Sequence, residues 1–230
     1  MKKVNIAKSE ALRFPDKYIW IVGKGAFLKF QKEKAPHPQE IDAENVISFS
    51  SNAKDGWNAL SNFAWVQEGF VFEGLKYPSS EHAFQARRFI ESDRARFSSG
   101  GDLGNLSGFQ LVYGDEWESK QAFWMKKGNI GILAKMASNP AVSKKIGLTP
   151  ITGSFNSTDE LWIGILSQKF SVPKFREVLK KTDQKYLLEF DRSAAKNKDS
   201  PPYWGGAIID GKLVGHNKMG NYLMKVRETI

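Results

Sequence analysis

The sequence predicts an α+β fold: a single compact domain, mainly helical with short β-hairpins, preceded by a small β-hairpin appendage. Three observations carry this. Strand-like runs occur in pairs around glycine turns, and capping residues precede several apolar helical stretches. The two patterns do not alternate regularly, as they would in a doubly wound sheet. With 230 residues, of which 41% are hydrophobic and 26% charged, the chain can bury a large core without disulfide or metal staples.

In chain order, Tyr18-Ile19-Trp20-Ile21-Val22 and Ala26-Phe27-Leu28-Lys29-Phe30 flank Gly23-Lys24-Gly25 and read as a hairpin. Residues 32–38 are polar and broken by Pro36 and Pro38, so they read as a connector. Residues 1–45 are thus expected as the appendage. The main domain is expected over 46–230, opening with Val46-Ile47-Ser48-Phe49.

Phe70-Val71-Phe72 and Leu75-Lys76-Tyr77 around Glu73-Gly74 predict a second hairpin, ended by Pro78. Ser79 or Ser80 caps a helix expected to run to about Ile90. Residues 92–114 are rich in glycine and serine and predict a long loop with short helical pieces. Asp115-x-x-Glu118 has capping-box character and predicts a helix through Trp124 and Leu133. Pro140 after Asn139 suits a first helical turn. Ser157-x-x-Glu160 reads as a capping box before Leu161-Trp162-Ile163-Gly164-Ile165-Leu166. A further helix is expected over 175–186. Asp210-Gly211 between Ile208-Ile209 and Lys212-Leu213-Val214 predicts a last hairpin, and 221–230 a closing helix.

Composition excludes several functions. Without a cysteine there is no thiol nucleophile, disulfide or zinc–thiolate site. His37, His82 and His216 are far apart and lack metal-ligand spacing. The polar start predicts no signal peptide, and no run of about 18 apolar residues predicts a membrane span. The expectation is a soluble cytoplasmic protein. Net charge is +9, and it is uneven: +3 over residues 1–50, zero over 51–168 and +6 over 169–230. Such a bias favours anionic partners, although a solvated lysine-rich surface has the same composition.

The residues that could carry chemistry begin in the helix after Pro78. Glu81, Gln85 and Arg88 fall on one helical face, with Ala83, Ala86, Phe89 and Ile90 on another arc. A first-turn carboxylate interacts well with the helix dipole, so Glu81 has a plain structural reading as well as a catalytic one. Trp117, Gln121 and Trp124 share a face that can equally be core. Near the end, Tyr203-Trp204-Gly205-Gly206 precedes Gly215-His216-Asn217-Lys218-Met219-Gly220-Asn221. Glycine and asparagine just before a helix are expected to leave backbone N–H groups free to cradle an anion.

Taken together, these segments resemble the NADAR family. The resemblance lies in four ordered pieces: Leu60-Ser61-Asn62-Phe63; Tyr77-Pro78-Ser79-Ser80-Glu81-His82-Ala83-Phe84-Gln85-Ala86-Arg87-Arg88-Phe89; Tyr203-Trp204-Gly205; and Asn217-Lys218-Met219-Gly220-Asn221-Tyr222-Leu223-Met224-Lys225-Val226-Arg227-Glu228. It covers residues 46–230. It implies an N-glycosidase or ADP-ribosyl glycohydrolase, which cleaves the bond between ribose carbon 1 and a nitrogen. Substrates in such a family are phosphoribosylamino intermediates of riboflavin synthesis and ADP-ribose on guanine in nucleic acid.

The resemblance also assigns roles. Glu81 is the implied catalytic carboxylate. Asn62, His82, Gln85, Arg88, Trp117, Trp204, Gly205, Asn217, Lys218 and Gly220 are the implied substrate-binding residues. Arg88 stands where the family pattern has a lysine, which keeps the charge and changes its geometry. Pro201 occupies the position of a family acid, so Asp199 is the nearest stand-in for a second carboxylate. No metal or cofactor is implied. The expected partner is an ADP-ribose or ribose-phosphate conjugate, including nucleic acid carrying ADP-ribosylated bases. Two other readings share these residues: an N-glycosidase of a small riboflavin-pathway intermediate, and a non-catalytic NAD or ADP-ribose binding module.

Overall fold

The computed structural model describes residues 2–4, 18–21, 26–29, 43–152, 155, 158–195, 201–209 and 211–230. Short strand pairs and helices of up to 11 residues make it an α+β protein, as the sequence predicts. Contacts divide it into two units, Met1–Ala53 with Thr182–Lys225, and Lys54–Lys181 with Val226–Ile230.

In the first unit, β1 (Lys2–Val4), β2 (Tyr18–Ile21) and β3 (Ala26–Lys29) form an antiparallel sheet in the order β1-β3-β2. The expected hairpin is there, with Tyr18 paired to Lys29 and Ile21 to Ala26, and it gains a third strand. Its turn and the proline connector lie outside the described residues. β4 (Val46–Phe49) pairs in parallel with β7 (Tyr186–Glu189), Val46 opposite Tyr186. Parallel strands need a long crossover, and here Lys54–Lys181 of the second unit intervenes in the chain. β7 continues to β8 (Gly206–Ile209) through the Asp191 N–H, which donates to the Gly206 carbonyl at 2.9 Å. The expected hairpin of β8 with β9 (Lys212–Gly215) forms around Gly211 at φ 71°.

The second unit carries β5 (Phe70–Phe72) and β6 (Leu75–Tyr77), paired as the sequence predicts. Glu73 and Gly74 both take positive φ, as a tight hairpin turn requires. Helix α1 (Ser80–Ala86) follows. It is shorter than expected, ending at Ala86 rather than Ile90. Residues 88–90 pair instead with 149–151: Ile151 N–H donates to Arg88 O, and Ile90 N–H to Thr149 O, both at 3.0 Å. The 92–114 stretch contains α2 (Glu91–Arg94), α3 (Gln110–Tyr113) and short 3-10 turns, matching the looped reading.

The helix expected to run through Leu133 is two helices, α4 (Trp117–Lys127) and α5 (Gly131–Ala137). Gly128 breaks it at φ 64°, and its carbonyl accepts from Trp65 N–H at 2.7 Å. No side chain caps α4, so the Asp115–Glu118 capping box does not form. α6 (Pro140–Lys145) starts as expected, with Asn139 Oδ1 accepting from Ala141 N–H at 3.0 Å. α7 (Asp159–Lys169) is capped by Thr158, whose side chain accepts from Leu161 N–H; the expected Ser157 lies outside the described residues. The next helix, α8 (Pro173–Lys180), begins and ends earlier than the 175–186 reading. The residues after it turn into β7, whose pairing with β4 outweighs local helical preference. The core of this unit includes Leu60, Phe97, Leu103, Phe109, Ile130, Leu133, Trp162, Ile165, Leu166 and Phe170, each buried at 2% exposure or less.

The closing helix α9 (Lys218–Arg227) starts three residues before the expected Asn221. No helix among the described residues is long and apolar enough to cross a membrane.

Candidate active site

Glu81 is in the first turn of α1, and Ser79 fixes that turn. Ser79 Oγ accepts from His82 N–H at 3.2 Å as the N-cap. Glu81 is 3% exposed. Gln85, one turn on, donates Nε2–H to Oε1 at 2.7 Å. Asn62, from the loop before Phe63, donates Nδ2–H to the other oxygen, Oε2. The Glu81 N–H returns a bond to the Asn62 carbonyl at 3.0 Å. Three residues singled out in the sequence, Asn62, Glu81 and Gln85, are thus in direct contact.

Burial pushes the Glu81 pKa up from the ordinary carboxylate range. The amide of Gln85, the charge of Lys135, the amide of Asn62 and the charge of Arg88 oppose that rise. The result is a carboxylate more basic than one in water, with two amide donors fixing the orientation of its oxygens. Both amides spend their N–H on it, and among the described residues Asn62 Oδ1 and Gln85 Oε1 are buried without a partner. An unsatisfied buried acceptor costs about 1–3 kcal/mol. The grip on Glu81 is therefore held against a local cost.

Two residues of this site carried no signal in the sequence pattern. Gly131, the first residue of α5, packs directly on it. A Cβ there would meet Phe63 Cα at 2.7 Å, Ser79 Oγ at 2.8 Å and Glu81 Cβ at 3.1 Å. Lys169 is wholly buried at the end of α7, and its Nζ donates to the carbonyls of Ala59 and Ser61, both at 2.7 Å. These carbonyls precede Asn62, so Lys169 fixes the loop that delivers the Asn62 amide. Its ammonium also faces the rings of Phe170 at 4.9 Å and Phe175 at 5.2 Å. Burial pushes its pKa down to about 7 from 10.5. A lysine that binds backbone carbonyls across 108 residues leaves no periodic trace.

His82 is fully buried, with Nδ1 2.8 Å from Ser79 Oγ. Burial lowers its pKa to about 3, with the Leu103 backbone opposing the shift, so it is neutral at physiological pH. Arg88 is exposed beyond the helix end, its guanidinium 5.7 Å from the Phe155 ring centroid. Trp117 is 5% exposed, stacked on Tyr113 at 5.7 Å and tilted against Phe109 at 6.1 Å.

Trp204, Gly205, Asn217, Lys218 and Gly220 belong to the other unit. There the expected backbone cradle is corrected. The N–H groups of His216, Asn217, Lys218 and Met219 donate to the carbonyls of Pro202, Gly205, Tyr203 and Trp204. The Trp204–Gly205 turn therefore caps α9 itself and leaves those donors spent. Asn217 is 0% exposed: Nδ2 donates to Leu187 O at 2.7 Å and Tyr186 Oη at 3.0 Å, and Oδ1 accepts from Glu189 N–H at 3.0 Å. Gly220 lets α9 approach β7, since a Cβ would stand 2.1 Å from Leu187 O. Lys218 is 3% exposed and faces Tyr203 and Tyr222 at 5.7 and 6.0 Å. Asp199 lies outside the described residues. Among the described residues, no three His, Asp or Glu side chains gather as metal ligands would.

This chain is similar to the E. coli protein YbiA, solved by NMR. The two share 22% sequence identity over 83% of this chain and 88% of YbiA, with a TM-score of 0.48. No family model matches the chain, and no curated protein matches it. The carboxylate–amide grip described above is a property of this chain's own residues and does not depend on the likeness to YbiA.

Proposed function

We propose that this protein is a hydrolase of N-glycosidic bonds, cleaving a ribose carbon 1 from nitrogen in an ADP-ribose or ribose-phosphate conjugate. The preferred substrate is ADP-ribose carried on guanine in nucleic acid. The observation that supports this reading is the Glu81 carboxylate: buried, raised in basicity, and oriented through both oxygens by Gln85 and Asn62. General-base groups work best when their pKa approaches the operating pH, and burial is the usual means of raising a carboxylate.

In the reaction, the C1–nitrogen bond breaks through an oxocarbenium-like ribose, and a water oxygen bonds to C1. Glu81 takes the proton lost by that water and returns it to the departing nitrogen. Its negative charge also stabilises the developing positive charge on the sugar. Arg88, exposed beside the same helix, supplies positive charge for phosphate oxygens. The +6 balance of residues 169–230 favours a polyanionic conjugate over a monophosphate.

The test is a substrate panel: ADP-ribosylated guanine in DNA, ADP-ribosylated protein, NAD and a phosphoribosylaminopyrimidine, each with wild type and Glu81→Gln. Release of free ADP-ribose from DNA by wild type alone is the expected result. Cleavage of only the pyrimidine moves the reading to a small-molecule N-glycosidase. Binding without cleavage of any member identifies a recognition module and sinks the hydrolase reading.

A further inference from the structure

A cavity of about 600 Å³ opens in the second unit beside Arg88. Its polar walls are Arg88, Lys144, Ser138, Ser143 and Thr149, and Phe155 forms an aromatic wall. Among the described residues, no carboxylate lines it. The volume is in the range of small-ligand sites.

The aromatic wall packs on other rings. Phe155 meets Phe84 edge-on at 5.3 Å, and Phe84 stacks on the buried Trp162 at 4.2 Å. Arg88 packs its guanidinium over the outer ring, 5.7 Å from the Phe155 centroid. Among the described residues it has no carboxylate partner closer than an ion pair requires, and neither has Lys144. The Ser138 and Ser143 hydroxyls donate to the carbonyls of Lys135 and Pro140. Asp93, the near acidic group, is engaged by the Thr149 N–H at 2.7 Å. The cavity thus offers two cations that form no ion pair among the described residues, and the Thr149 hydroxyl, with the Asp93 carboxylate behind the Thr149 N–H as the near negative charge.

We propose that this cavity binds a phosphate or diphosphate group, with Arg88 and Lys144 as its paired cations. On the glycosidase reading above, it holds the diphosphate of the conjugate whose ribose is at Glu81, because both groups flank the same short helix. Arg88 gives planar, forked donors for phosphate oxygens, and Lys144 gives a point charge on the facing helix α6. Lys144 has no counterpart among the motifs of the sequence; it lines the cavity from within α6.

The experiment is calorimetric titration of the full chain with inorganic pyrophosphate, ADP and ADP-ribose. Wild type is compared with Arg88→Gln, Lys144→Gln, Glu81→Gln and a charge-matched control, Lys126→Gln in α4. Lys144 and Lys126 are both exposed, so neither substitution should perturb folding. Loss of a charge-assisted phosphate contact weakens binding by about tenfold. That loss is expected for Arg88→Gln and Lys144→Gln with all three ligands, while Lys126→Gln stays at wild type. Undetectable binding of all three by wild type overturns the proposal, as does equal affinity in Lys144→Gln and wild type, or an equal loss in Lys126→Gln. If pyrophosphate and ADP bind in a Lys144-dependent way but no N-glycosidic bond is cut, the pocket stands and the glycosidase reading falls.

Discussion

Gln85 donates its side-chain N–H to Glu81 Oε1 at 2.7 Å from one turn further along the same helix. The i, i+4 spacing makes this contact available to any helix with that pair. What is particular here is the second amide, Asn62, closing on the other oxygen from a separate loop. A carboxylate held on both sides keeps one orientation, which general-base chemistry requires.

Glu81→Gln should abolish hydrolysis and leave the fold at least as stable. Removing a general base costs about 10²–10⁴ in rate. The raised pKa means that ionised Glu81 lowers stability above the ordinary carboxylate range, and a neutral side chain removes that cost. The new amide also needs an acceptor, and rotation of Asn62 or Gln85 offers an unpartnered carbonyl. Thermal melts at pH 7.5 should match or exceed wild type. A large fall in melting temperature would show that the charge is structural.

Gly131→Ala should damage the site without touching a polar group. The added methyl meets the Phe63 backbone at 2.7 Å and presses on Ser79 and Glu81. Backbone cannot yield cheaply, so overpacking of this kind costs about 1–3 kcal/mol. Activity should fall more than tenfold in a protein that still melts cooperatively, because small displacements of reacting groups carry steep rate costs. Wild-type turnover in this variant would place the reacting carboxylate elsewhere.

Lys169 makes stability depend on alkaline pH. Its folded pKa of about 7 lies below the unfolded value of 10.5, so the unfolded chain binds the extra proton between them. Stability contributed by this group is present above about 10.5 and is lost as pH falls through 7. Urea midpoints of wild type should therefore rise from pH 7 toward pH 10. Lys169→Met should flatten this rise, and should also weaken activity because Ala59 and Ser61 lose their shared donor. An unchanged pH slope in Lys169→Met would refute the assignment.

If modified nucleic acid is the substrate, salt should distinguish it from a small conjugate. Each phosphate neutralised contributes about −0.7 to −0.9 to the slope of log K against log salt. Lys180, Lys181 and Lys185 are all exposed. Replacing the three by glutamine should reduce the slope for an ADP-ribosylated oligonucleotide and leave that for an ADP-ribosyl nucleoside nearly unchanged. Equal slopes for both substrates in wild type would remove an extended nucleic-acid footprint.

By itself the sequence determined the fold class, the hairpins around Glu73-Gly74 and Gly211, a serine-capped helix start at Ser79 or Ser80, a helix opening at Pro140, and the proximity of Glu81 to Gln85. These are local: turn residues, caps and i, i+4 pairs act over a few positions, where chemistry and spacing are both visible. Boundaries were less legible where distant backbone competes for hydrogen bonds. Residues 88–90 leave their helix for 149–151, and the residues after Lys180 join β4 across most of the chain. Only the tertiary structure decided the rest of the site. Asn62 reaches Glu81 because Lys169 ties its loop, Gly131 is a glycine because α5 touches α1, and the Trp204 turn is a helix cap because α9 takes its carbonyls. Such contacts depend on which surfaces meet, and a carbonyl acceptor or a missing Cβ has no signature in residue spacing.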